Sequence, residues 1–377
     1  MRVSKTNPAI LRLTMTVGET SAPYNQFTLP LRTRQAITLC SYLPATVVPP
    51  GDLTLIAGDG TVRRFWHQVR QALQRQRYDL IHVHDAVVGT LFLLILLLTN
   101  PRLLTITIFT VHNSYENFKL RNRLLLLPIF AFYRKVVCCS KASYESFPWL
   151  FRRLAGQRLT YVQNGMDIAR VDRTLATFAH TPPPAAPFTI IAVGRLIAIK
   201  NPMTLLDAFI ASALPDSRLV FVGTGPLDKV LSERAAAAGV ADRVEFTGLL
   251  PREEVYRRLQ QADLFVSTSY GEGLPIAVLE AMACRTPVIL SAIPPHREIV
   301  DNLADMPLLA PTDQQGFAQA IQAVAALTPV ARAALGERAR KRVEESFSLA
   351  QMHRGYATIY AEVMGQQRVA VVTESFS

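Results

Sequence analysis

Short apolar runs alternate with helix-length segments along most of the chain, and this alternation limits the fold more than any other feature. Strands are predicted over 10–16, 37–42, 53–57, 79–84, 103–111, 136–139 and 159–162, with helices over 61–76, 86–98 and 117–133. The series restarts at residue 188. Strands over 188–193, 218–222, 244–247, 264–267 and 287–290 then alternate with helices over 201–212, 227–238, 252–262 and the segment after Pro275. Helices over 314–327, 331–347 and 349–364 close the chain, with no strand after the last. Such a rhythm gives α/β structure, in which a parallel sheet is covered by helices on both faces. At 377 residues the chain exceeds the usual size of one core. The stiff run Thr181-Pro182-Pro183-Pro184-Ala185-Ala186-Pro187 is its best break. The expected domains are therefore 1–185 and 186–347.

Charge separates the two halves. Residues 1–180 carry about 22 Lys and Arg against about 9 Asp and Glu, so the whole of the net +11 excess lies there. A basic half implies either an anionic partner or a solvated surface. Aromatic and basic residues do not interleave as in single-strand readers, so no nucleic acid is expected. Residues 86–98 form the most apolar run, about 13 residues, short of the roughly 18 that span a bilayer. The segment 119–135 has basic ends around an apolar block broken by Pro128. It reads as a core helix with charged ends or as a helix lying on an anionic membrane surface. No signal peptide is expected from the scattered charge of the N-terminal segment. Cys40, Cys138, Cys139 and Cys284 have no metal-ligand spacing and are expected to be reduced and packed. A cytoplasmic location follows, with peripheral attachment to the membrane's inner face as a second alternative.

Three turns after strands carry the candidate chemistry. Gly194-Arg195 follows the strand 188–193, and Lys200 lies five residues on. Glycine lets the backbone turn, while Arg195 and Lys200 project from the carboxyl end of a strand, where open α/β sheets bind ligands. Both side chains suit phosphate oxygens. Gly223-Thr224-Gly225-Pro226 is a second turn; a plain tight turn is the alternative reading. The third, Tyr270-Gly271-Glu272-Gly273-Leu274-Pro275, is the most specific, because Glu272 and Glu280 bracket a glycine-broken turn and a helix start. Pro275 suits the first helical turn, and the amides of Gly273, Leu274 and Ile276 lie where a helix N-terminus favours an anion. The turn after the first strand has no G-x-G-x-x-G, so a dinucleotide fingerprint is absent there.

Taken together, Gly194-Arg195 with Lys200, Gly223-x-Gly225-Pro226, Phe246-x-Gly248 and Glu272-x7-Glu280 resemble glycosyltransferase family 4. The resemblance is strong over 158–300. In the first half it rests on Val111-His112-Asn113 and Gln163-Asn164-Gly165-Met166-Asp167. It implies a GT-B fold, two Rossmann-like doubly wound domains facing a cleft, with the helix segment 348–377 returning to the first domain. The implied activity is transfer of a hexose-type sugar from a nucleotide-diphosphate sugar to a hydroxyl, with retained anomeric configuration. The acceptor would be a lipid-linked molecule, a polysaccharide precursor or a small molecule. By the same resemblance, Arg195 and Lys200 clamp the donor diphosphate and Glu280 takes the ribose hydroxyls. Glu272 holds the donor sugar beside the amides of Gly273 and Leu274. His112 lies near the sugar and the attacking hydroxyl, and a strand-end histidine bonded to backbone is its plainer reading. No acidic pair of the DxD kind stands in a suitable loop, so no divalent metal or other cofactor is expected beyond a UDP-, GDP- or ADP-sugar donor.

Two departures bear on this. The family often has a glycine pair in the first βα turn, whereas here Gly18 alone is available to the donor, beside Pro23 and Tyr24. Arg285 stands where glycine is common, and reads as a surface change at a helix C-terminus. The first departure leaves a non-catalytic paralogue as an alternative. A sugar-nucleotide epimerase of the same fold is another.

Overall fold

A computed structural model describes residues 7–18, 21–178 and 187–365. The chain divides into two compact units, one ending at Gly165 and rejoined by the segment from Leu349, the other running from Met166 to Ser348.

The first unit opens with β1 (Ala9–Thr14), a single π-helical turn (Pro23–Thr28), β2 (Ala36–Ser41) and β3 (Thr54–Ile56). Then come α1 (Val62–Arg75), β4 (Leu80–Val83), α2 (Ala86–Thr99), β5 (Thr107–Val111) and α3 (Leu120–Phe132). It continues with β6 (Lys135–Cys138), α4 (Lys141–Ser146), α5 (Trp149–Ala155) and β7 (Leu159–Tyr161). All strand pairs are parallel, in the order β3-β2-β1-β4-β5-β6-β7. Strand side chains alternate between two cores. Leu11, Ile81, Phe109 and Val136 pack under α1, α2, α3 and α5, while Ile10, Leu80, Ile108 and Val137 face the other way. Half-buried Asp85 caps α2 by accepting from the amides of Val87 and Val88.

The second unit holds α6 (Ile168–Leu175), β8 (Phe188–Val193), α7 (Pro202–Ser212), β9 (Ser217–Val222), α8 (Asp228–Ala237), β10 (Val244–Phe246) and α9 (Arg252–Gln261). It continues with β11 (Leu264–Ser267), α10 (Ile276–Ala283), β12 (Val288–Ser291), α11 (Pro294–Ile299), β13 (Leu308–Leu309), α12 (Gln314–Ala325) and α13 (Pro329–Ser346). Its sheet is parallel in the order β10-β9-β8-β11-β12-β13. Ile191, Val220, Phe265 and Leu290 face one core, and Ile190, Leu219, Leu264 and Ile289 the other. The final helix, α14 (Leu349–Val363), belongs to the first unit. Met352, Tyr356, Ile359 and Tyr360 pack on the second core of that sheet. Tyr360 OH lies 2.7 Å from His82 Nδ1 and Tyr356 OH 2.9 Å from Thr110 Oγ1, both at buried positions.

The boundary expected at 185/186 falls earlier. Residues 166–178 join the second unit because Val171 and Leu175 enter its core and the Met166 amide donates to Phe347 O at 2.8 Å. Most of the proline run, 181–186, lies outside the described residues. The strand expected over 103–111 is shortened, since Pro101–Ile106 forms a 3-10 turn and only Thr107–Val111 is extended. The helices α4, α5, α6 and α11 were not anticipated; each is no longer than eight residues, too short for a periodic pattern. Arg285 is more than a surface change: its φ of +62° places it in the left-handed region after α10, which explains why glycine suits that position. All four cysteines are buried and in no disulfide. Among the described residues no helix is long and apolar enough to cross a membrane.

Candidate functional site

In the second sheet the strand order reverses between β8 and β11, so the loops that follow these two neighbours meet at the topological switch point. The β8 loop carries Gly194, Arg195 and Lys200; the β11 loop carries Ser269, Glu272, Gly273 and Leu274. The two are tied together. The Tyr270 amide donates to Ile199 O at 2.8 Å, and Thr268 Oγ1 donates to Asn201 O at 2.7 Å. Asn201 is buried in the left-handed region at φ +51°, a conformation asparagine tolerates, and its Nδ2 donates to Thr268 O and Pro311 O.

This brace brings two of the expected residues into contact. Lys200 Nζ donates to Glu272 Oε1 at 2.5 Å and Oε2 at 2.7 Å. Ser269 Oγ adds a third bond to Oε1 at 2.8 Å. The Glu272 side chain is only 9% exposed and Lys200 29%, so the pair sits at the edge of solvent. Behind it runs a buried relay. Ser291 Oγ donates to Ser269 O at 2.6 Å, and His296 Nδ1 lies 2.9 Å from Ser291 O, an arrangement that puts the imidazole proton on Nδ1. Burial pushes His296 down to about 4, with Glu272 opposing and Lys200 adding to the shift. Its Nε2 is buried without a partner among the described residues. Arg195, by contrast, is exposed. Sequence reasoning missed Ser269, Ser291 and His296; the hydroxyl run Ser267-Thr268-Ser269 was the available signal.

Helix α10 starts at Ile276, with Pro275 just before it as the N-cap residue rather than within the first turn; Pro275 O accepts from the amides of Val278 and Leu279. Among the described residues, the Gly273 and Leu274 amides have no backbone acceptor, so this helix N-terminus keeps donors for an anion.

Gly223 and Gly225 do something different. A Cβ at Gly223 would lie 2.0 Å from Gly194 O, and one at Gly225 2.2 Å from Leu196 O. The Gly223 amide donates to Gly248 O and the Gly225 amide to Asp228 Oδ1, each at 2.9 Å. Both glycines let the β9 loop pack flat on the β8 loop. They shape the Gly194-Arg195 turn and have no amides left for a phosphate.

Glu280 lies on α10, 5% exposed, paired with Arg252 at the start of α9. Burial raises its carboxyl above the usual range, and Arg252 opposes that shift. Tyr256 OH approaches the same oxygen at 3.5 Å. Arg252 was another residue that sequence spacing did not reveal.

Gly18 and His112 belong to the first unit. His112 follows β5, and its Nε2 lies 3.0 Å from Nδ1 of His84, which follows β4. Burial pushes His112 down to about 4. It is therefore a neutral imidazole at pH 7, bonded among the described residues to another side chain and not to backbone. A Cβ on Gly18 would meet Thr46 Oγ1 at 2.5 Å, and Gly18 O accepts from the Ser21 amide.

Both halves of the chain match known sequence families. Residues 176–342 match the family described as Glycosyl transferases group 1, and residues 42–170 that described as Glycosyltransferase Family 4. The D-inositol 3-phosphate glycosyltransferase of Salinispora tropica is 28% identical over 230 residues, 56% of this chain and 47% of that protein. The chain spans about half the length of the curated relatives it matches. Among solved structures, a sucrose-phosphate synthase from Thermosynechococcus elongatus superposes with a TM-score of 0.77 at 18% identity, covering 96% of this chain and 100% of that one. Anabaena HepE, solved in complex with UDP, gives 0.75 at 19%, with 94% and 100% covered. At such identities the likeness shows the fold, two parallel-sheet α/β domains of the GT-B kind.

Proposed function

The chain belongs to glycosyltransferase family 4, and from that premise we propose that it moves a hexose-type sugar from a nucleotide-diphosphate sugar to a hydroxyl acceptor with retention of configuration. The observation that carries this reading is the Lys200–Glu272 pair at the β8/β11 switch point, beside the N-terminus of α10. In the reaction the bond from the anomeric carbon to the diphosphate oxygen breaks, a bond to the acceptor oxygen forms, and the acceptor's hydroxyl proton passes to the departing diphosphate. Negative charge develops on the departing diphosphate. In this reading Arg195, Lys200 and the Gly273 and Leu274 amides offset that charge, the main electrostatic means of lowering such a barrier. Glu272 takes hydroxyls of the donor sugar, and its bonds to Lys200 and Ser269 fix the carboxylate beforehand. Glu280, held by Arg252, takes the ribose. His112, as a neutral imidazole, accepts from or donates to the sugar and the incoming hydroxyl. In this reading the cations take the part a divalent metal plays elsewhere, so turnover persists in EDTA.

The fold of Anabaena HepE, solved with UDP and with UDP-glucose, supports a nucleotide-sugar donor without choosing its base for this chain. The acceptor belongs to the basic first unit, whose segment 119–135 would meet an anionic membrane surface at the cytoplasmic side. Thermal shift with UDP-, GDP- and ADP-sugars tests the donor. One of the three should raise the melting temperature, because ligand binding stabilises the folded state by mass action. No shift with any of them would count against the reading.

A further inference from the structure

Helix α2 is apolar on all sides, a composition suited to full burial. Yet Leu94, Leu97 and Leu98 of its C-terminal half are exposed, Leu98 to 74%. The neighbouring α3 exposes Leu120 (72%), Leu124 and Phe132. On α5, which packs on α3 in turn, Trp149 is 73% exposed and Leu150 lies beside it. These three helices cover one face of the first sheet, so half of the large exposed apolar side chains of the described residues lie on one helical layer. A soluble surface seldom concentrates them so.

The charges around them have one sign. Glu116 is the only acid between residues 86 and 135, and there is none between 147 and 160. Arg102, Lys119, Arg121, Arg134 and Arg153 are exposed within these stretches. Two cations of the 119–135 segment are engaged elsewhere. Arg123 donates to Glu116 O and stacks on Tyr115, and Lys135 pairs with Glu362 at 2.7 Å. Leu126, Ile129 and Phe130 of the 119–135 segment are core, while its ends carry exposed cations and apolar side chains.

We propose that the outer surface of α2, α3 and α5 docks on an anionic lipid bilayer, with Trp149 and the exposed leucines entering the headgroup boundary and the arginines pairing with lipid phosphates. Apolar residues ringed by cations match such an interface, and tryptophan favours it. A second copy of the chain is a poor occupant, since a self-complementary contact would oppose like charges. The inference widens the membrane segment named in the functional reading to three helices. Vesicle binding needs neither donor nor acceptor, so its failure would leave sugar transfer untouched.

The test is co-sedimentation of the full chain with phosphatidylcholine vesicles, with and without about 30% phosphatidylglycerol. Binding should be about tenfold stronger to the anionic vesicles and should fall in about 0.5 M salt. The charge variant R121E/R134E/R153E and the apolar variant L98Q/L120Q/W149Q should each lose about tenfold. In a W66F variant, which leaves Trp149 as the sole tryptophan, emission should shift to the blue on anionic vesicles. Binding that ignores lipid charge, or a Trp149 emission that does not move, would overturn the proposal. So would absence of vesicle binding combined with concentration-dependent self-association.

Discussion

The Lys200 ammonium bonds both carboxylate oxygens of Glu272, a residue 72 positions further along the chain. Their loops follow adjacent strands, so the contact is set by sheet order and not by sequence distance. The pair holds the proposed leaving-group cation and the proposed sugar ligand in one rigid arrangement before any donor arrives.

Ser269 should matter through this pair. Its hydroxyl donates to Glu272 Oε1, and the Ser269→Ala change removes that hydrogen bond from a nearly buried carboxylate. Hydrogen bonds to charged groups contribute about 1.5–3 kcal/mol, so kcat/KM for the donor should fall about tenfold or more while the melting temperature stays within a few degrees. An unchanged kcat/KM would mean that Ser269 does not position the carboxylate.

The Arg252–Glu280 pair gives a stability prediction. Arg252→Ala leaves a buried carboxylate without its cation, a loss of about 3–5 kcal/mol for a fully buried pair. Because the Arg252 side chain is 31% exposed, the expected cost is nearer ~2 kcal/mol. Denaturant unfolding checks this. Glu280→Gln should instead lower nucleotide affinity, and a variant that binds nucleotide as the parent does would remove Glu280 from the ribose site.

Gly223→Ala and Gly225→Ala should fail by packing. Each Cβ would press on a backbone oxygen that cannot yield cheaply, at 2.0 and 2.2 Å. Overpacking of this kind costs about 1–3 kcal/mol, so both variants should melt lower even without any nucleotide. Parent-like melting with weakened nucleotide binding would show that these glycines contact the ligand directly.

Much of this was legible in the sequence, and the failures have physical causes. Phe188–Val193 and Leu264–Ser267 could be read to the residue, because each is an apolar run bounded by a turn signal. The motif around Glu272 located the β11 loop. Sequence could not show that Lys200 reaches Glu272 or that Arg252 reaches Glu280, since both contacts depend on how the strands are ordered. His296 and Ser291 were invisible for the same reason. Gly223 and Gly225 matched a phosphate-turn pattern, but whether their amides face a ligand or the next loop depends on packing that spacing does not encode.

The buried histidines predict acid sensitivity. His112 and His296 are pushed down to about 4 by burial, and His82 and His84 are lowered by burial as well. The unfolded chain takes up protons near the ordinary histidine value of about 6.5, while the folded chain resists until about 4. Stability is therefore fully present above about 6.5 and falls as pH drops towards 4, by up to about 1.4 kcal/mol per pH unit for each such histidine. Three of the four, with both tryptophans, Trp66 and Trp149, lie in the first unit. Urea unfolding followed by tryptophan emission should show a lower midpoint at pH 5 than at pH 7. An equal or higher midpoint would contradict the burial of neutral imidazoles.

The most direct test is release of nucleoside diphosphate by the parent and by the purified Arg195→Ala/Lys200→Ala double variant, using the donor that thermal shift selects and a hydroxyl acceptor. The account predicts acceptor-dependent release by the parent. It predicts a loss of at least about 100-fold in kcat for the double variant, with its fold intact by circular dichroism. Retained transfer by the double variant would contradict the proposal that these two cations stabilise the departing diphosphate.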